Sequence, residues 1–94
     1  MANIAVFICS TTMDDPFVVD ENVKCFTNTE QHAIKIANNI KSELKINVYI
    51  LKFYIDIDII NKFNIEDNIY KISIDDLKII NDNIKEKIQF IKQI

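Results

Sequence analysis

No glycine occurs among the 94 residues, and 21 of them are isoleucine. A chain built this way has no cheap entry into the left-handed region of backbone space. It lacks the glycine-rich loops that cradle phosphates in Walker and dinucleotide sites, which need positive φ and close backbone approach. Two large enzyme classes are thereby disfavoured. Isoleucine is stiff at χ1 and suits strands and well-defined packing.

Residues 1–94 make one domain, whose core buries very roughly 60–65% of the unfolded surface. All 11 basic residues are lysine, and isoleucine, asparagine and lysine together account for 43 of the 94 residues. That bias reads as AT-rich coding, as in viruses, phages, low-GC bacteria and some protists. The net charge is −3, with no basic face and no arginine for bidentate phosphate contacts, so nucleic acid is not the expected partner. No stretch approaches ~18 uncharged apolar residues, and no membrane span is expected. The N-terminus lacks the marks of a signal peptide, so Cys9 and Cys25 are expected as reduced thiols inside a cell.

Residues 3–12 read as a strand that is apolar on both faces, hence central or covered on both sides. Pro16 marks a turn, and 17–26 reads as the return strand. A helix follows over about 29–45, with Asn28 as N-cap and Gln31 completing a capping box. Ala33, Ile36, Ala37, Ile40 and Leu44 form its buried stripe. The longest strand signal spans 46–60, with unbroken apolar alternation from Tyr49 to Ile59. A loop or single turn over 61–68 precedes a short strand over 69–74. A last helix, capped by Ser73 or Asp75, runs to about residue 92 on a stripe of Leu77, Ile80, Ile84, Ile88 and Ile91. The expected fold is α+β in ββαββα order: a four-stranded, mostly antiparallel sheet with two helices packed on one face.

Four features bear on chemistry. Asp56 and Asp58, two apart on the expected strand, would project from one face and could hold Mg²⁺ or Ca²⁺ with Glu66, Asp67, Asp75 or Asp76 nearby; solvated strand ends and helix caps are the plainer reading. His32, the single histidine, lies in a first helical turn; Cys25, Ser10 or Thr11 would be its candidate nucleophile, but without glycine the oxyanion donors are hard to arrange, and a helix-surface histidine is the plainer reading. A hairpin centred near Phe17 would set Cys9 opposite Cys25, although a one-residue slip separates them. The segment Met13-Asp14-Asp15-Pro16-Phe17, extended by Asp20 and Glu21, combines apolar anchors with acids and suits docking on a basic protein surface.

Ile79, Phe90 and Ile94 fall outside the last helix's stripe and mark possible self-association. The leading functional expectation is a non-enzymatic, intracellular protein-binding domain. A virus- or phage-encoded inhibitor of a host defence protein, of the anti-CRISPR kind, would have this size and charge. The alternatives are a homodimer or assembly subunit, and a small metal-dependent enzyme using Asp56 and Asp58. No cofactor is implied.

Overall fold

The computed structural model describes residues 2–13 and 24–94. Among these, the strands are β1 (Asn3–Ser10), β2 (Lys24–Thr27), β3 (Tyr49–Asp56), β4 (Ile65–Glu66), β5 (Ile69–Tyr70) and β6 (Gln89–Gln93). The six form one antiparallel sheet in the order β4-β5-β2-β1-β3-β6. The helices are α1 (Glu30–Leu44), α2 (Ile57–Ile60) and α3 (Leu77–Asp82), the last entered through a 3-10 turn at Ile74–Asp76. The α+β class and antiparallel sheet agree with the sequence reading. The strand number and the ββαββα order do not.

β1 is central, flanked by β2 and β3, as its two apolar faces require. Side chains alternate across it. Val6 and Ile8 join Phe26, Leu51, Phe53 and Ile55 on one face, where Ile60 of α2 and Ile80 of α3 cover them. Cys9 joins Ile50 on the other face, where Ala33 and Ala37 of α1 press down. The helices therefore lie on opposite faces rather than sharing one, and the sheet is an inner layer. Phe26 and Phe53 meet edge to face at 6.4 Å within the larger cluster. On the α1 face, Lys52 sets its ammonium 5.6 Å from the Phe7 ring and 4.9 Å from the Tyr54 ring.

α1 begins one residue later than expected. Thr29 is extended at φ −140° and ψ 150°, and its hydroxyl accepts from the His32 amide at 3.2 Å. The helix stops at Lys45, which takes the left-handed conformation at φ 58° and donates its amide to Lys41 O. Without glycine, this cap falls to a lysine.

The expected strand over 46–60 ends at Asp56. Its carboxylate accepts the Asp58 amide at 2.8 Å and starts α2, which consumes Ile57 to Ile60. The helix expected to reach residue 92 ends at Asp82, and residues 89–93 become β6 on the outer edge of β3. Register slips between Ile50 and Leu51 leave an extra residue in β6. The bulge changes parity, so Ile88 packs with the α3-side cluster while Ile91 and Ile94 pack with the α1-side cluster. The apparent single helical stripe is thus divided between two sheet faces.

Candidate functional site

α2 and α3 do not close against each other. Between them lies a cavity of about 470 Å³ lined by Ile59, Lys62, Phe63, Asp76, Ile79 and Asn83. Three elements build it. Asp56 turns the chain out of β3, so Ile60 plugs the core while Ile59 stands half-buried at the groove. The α2 exit is tightened by Phe63 N–H donating to Ile60 O at 3.1 Å, which carries Phe63 round to the same place. On the opposite wall, Ser73 Oγ donates to Asp76 Oδ2 at 2.8 Å, and Asn83 Nδ2 donates to Ile79 O at 2.6 Å.

Those two polar side chains are therefore held by their own turns and rim an apolar floor. Ile79 is 49% exposed at the mouth, and Ile74 in the preceding 3-10 turn is 65% exposed. Ile59, Phe63 and Ile79, with Lys62 and Asp76 beside them, give the groove the mixed apolar and polar lining common in binding pockets.

Those of the residues singled out from sequence that the structure describes do not gather at one place. Met13 is exposed just past β1. Asp14, Asp15, Phe17, Asp20 and Glu21 lie outside the described residues. Ile79 lines the groove, and Phe90, on β6, is 51% exposed. Ile94 is half-buried against the α1-side cluster, and its backbone oxygen accepts Lys41 Nζ at 2.8 Å. Asp56 and Asp58 do not form a strand pair: the first is a buried helix cap, and the second is exposed in the first turn of α2. Among the described residues, no three His, Cys, Asp or Glu side chains gather as a metal set.

His32 ties α1 to the β4–β5 turn. Its Nε2 faces Asn68 Nδ2 at 2.8 Å, and its Nδ1 faces the Thr29 hydroxyl. An amide nitrogen can only donate, so Nε2 accepts, and Nδ1–H donates to the hydroxyl. Both ring nitrogens are thereby used in holding structure.

Cys9 and Cys25 are register partners across β1 and β2, as the hairpin reading allows, and both are free thiols. Burial pushes the Cys9 thiol up to about 12, with the neighbouring Cys25 adding to the shift. Burial raises Cys25 as well, with Lys71 opposing. Neither is tuned as a nucleophile, which needs a lowered value.

Ile59 and Phe63 were not singled out from sequence. Ile59 fits the alternation of a long strand and Phe63 sits in a polar run, so only the reading of Asp56 as a helix cap could have exposed them. Among the described residues, no helix is long and apolar enough to cross a membrane. No protein-family model matches the chain, and no curated protein or solved structure matches it.

Proposed function

We propose that this chain is a non-enzymatic protein-interaction domain that receives an apolar side chain of a partner in the groove between α2 and α3. The single observation behind this reading is Ile79, a large apolar residue left half in water where it lines a preformed cavity with Ile59 and Phe63. Apolar anchors entering desolvated pockets dominate binding energies at protein interfaces. The acidic balance of the chain favours a partner with a basic surface, and an inhibitor of a host protein encoded by a virus or mobile element fits the size and coding bias.

Parallel captures from candidate host lysates with wild type, Ile79→Asp and an Asp14/Asp15/Phe17 triple variant test the reading. A stoichiometric partner held by wild type and lost with Ile79→Asp supports the groove. A partner lost only with the triple variant moves the contact to the acidic segment.

A homodimer is the second reading, favoured by Phe90 on the outer strand of the sheet. The bulge and Lys92 on β6 are devices that discourage strand addition, so this contact would use side chains rather than the strand edge. The mass in solution, compared with that of Phe90→Lys, tests it: a dimer that the substitution dissociates supports this reading.

A further inference from the structure

We propose that Cys9 and Cys25 are a redox pair that a small soluble disulfide converts into a cross-strand bond clamping β2 to β1. The geometry rests on register. Cys9 stands directly opposite Cys25 in an antiparallel ladder. Directly opposed residues in such a ladder have Cα atoms about 4.5 or 5.5 Å apart, inside the range of about 4.4–6.8 Å that a disulfide tolerates. Both side chains belong to the cluster beneath α1, so they point to the same face. Above them α1 presents Ala33 and Ala37, the smallest buried residues of its stripe. Closing the bond moves sulfur toward sulfur, and neither strand has to change register.

Access sets the order of events. Cys25 is half-buried and Cys9 has no exposed surface. Lys71 acts on Cys25, where its charge favours the thiolate against the opposing effect of burial. Cys25 thiolate therefore attacks the small disulfide first, forming a mixed disulfide and releasing one small thiolate. That thiolate takes the Cys9 proton. Cys9 sulfur then attacks Cys25 sulfur and expels the second small thiolate, which takes up the proton that Cys25 had released to water. Two protein thiols are oxidised, one small disulfide is reduced to two thiols, and no other reagent enters. The raised thiols make the pair a slow responder, unlike the low-pKa cysteines of peroxide sensors.

The bond would strengthen the shorter seam beside β1. β1 aligns with β3 from Asn3 to Ser10 but with β2 only from Phe7 to Ser10. Among the described residues, β5 and β4 join the sheet through β2.

The test is incubation of the folded chain with oxidised glutathione in native buffer, read by intact mass, peptide mapping and thermal melting. The expected product is a monomer lighter by two hydrogens, with Cys9 joined to Cys25 and a Tm higher by on the order of 10 °C. Dithiothreitol reverses both changes. Cys9→Ala stops at a single glutathione adduct on Cys25, and Cys25→Ser keeps Cys9 unmodified, so either variant suffices if the other fails to fold. A wild type that stays reduced, retains glutathione, dimerises through sulfur, or closes with a lowered Tm overturns the proposal.

Discussion

Single side chains here do work that their sequence position disguises. Cys9 has an ordinary value of 9.0, and burial carries it up to about 12 in the fold. The folded state holds that proton more tightly than the unfolded chain does. The resulting stabilisation is complete below pH 9.0 and is lost as pH climbs toward 12. Cys25 shifts in the same direction. The urea midpoint of the reduced wild type should therefore fall across that window more steeply than that of Cys9→Ala, and parallel slopes would remove Cys9 from the account.

Asp56 is the second case. It is buried, and its carboxylate spends itself on the Asp58 amide at 2.8 Å. Asp56→Ala should cost about 1 kcal/mol in chemical denaturation, the usual worth of a helix N-cap. Millimolar Mg²⁺, Mn²⁺ or Ca²⁺ should leave the wild-type Tm unmoved. A specific rise would show a site that binds the folded state and would restore the metal reading.

At the scale of elements, the absence of glycine leaves a visible trace. Among the described residues, positive φ occurs at Lys45 (58°), Asp67 (52°) and Asn68 (67°). Lys45 ends α1, while Asp67 and Asn68 are the two central residues of the β4–β5 hairpin, a turn that demands positive φ at both positions. Aspartate and asparagine tolerate that region through local hydrogen bonding, whereas lysine gains no such help. Lys45→Gly should accordingly stabilise the fold by roughly 0.5–1 kcal/mol, because relieving the Cβ clash exceeds the entropy cost of glycine. No gain in a denaturant midpoint would mean that the Lys45 side chain compensates by contacts of its own. The hairpin turn is pinned separately, by His32 on Asn68 and by the Asn28 amide donating to Asn68 O at 3.3 Å. α1 and the short β4–β5 ribbon are therefore one mechanical unit.

Across the whole molecule, one sheet separates two unequal cores. α1 covers the smaller one around Cys9 and Ile50, and α2 with α3 caps the larger one around Phe53. Phe53 has no exposed surface and contacts Phe26 edge-on, so Phe53→Ala should cost about 3–5 kcal/mol in urea unfolding. A loss below 1 kcal/mol would mean that the core collapses into the space, which close-packed interiors seldom do. Ile79→Asp touches only a half-exposed side chain, so its effect on stability should stay within about 0.5 kcal/mol, while the partner binding proposed for the groove should be lost. That separation of stability from binding is what a recognition groove on a rigid frame produces.

Much of this architecture is readable along the chain because its causes are local. The two-sided apolar run of residues 3–10 marks a central strand, since each face must meet a covering layer. The stripe through Ala33, Ala37 and Ile40 marks α1, and it forms because 3.6-residue periodicity collects apolar side chains on one side. The opposition of Cys9 and Cys25 also follows from local pairing, given the hairpin. Residues 84–94 are different. Ile84, Ile88 and Ile91 satisfy a helical stripe, yet Ile84 makes an isolated bridge to Ile55, Ile88 precedes β6 and Ile91 is its bulged residue; isoleucine is at home in either setting. β3 decided the matter, because its open outer edge offered hydrogen bonds that only a neighbouring strand can accept and return. Similarly, Asp56 fits both a strand end and a helix cap, and packing of Ile60 into the core selected the cap. The sequence by itself determined the α+β class, the central strand and the first helix, through periodicity and composition that act over a few residues. Tertiary structure alone decided the sixth strand, the opposite placement of the helices and the groove at Ile79, because each depends on which distant surface was left unpaired.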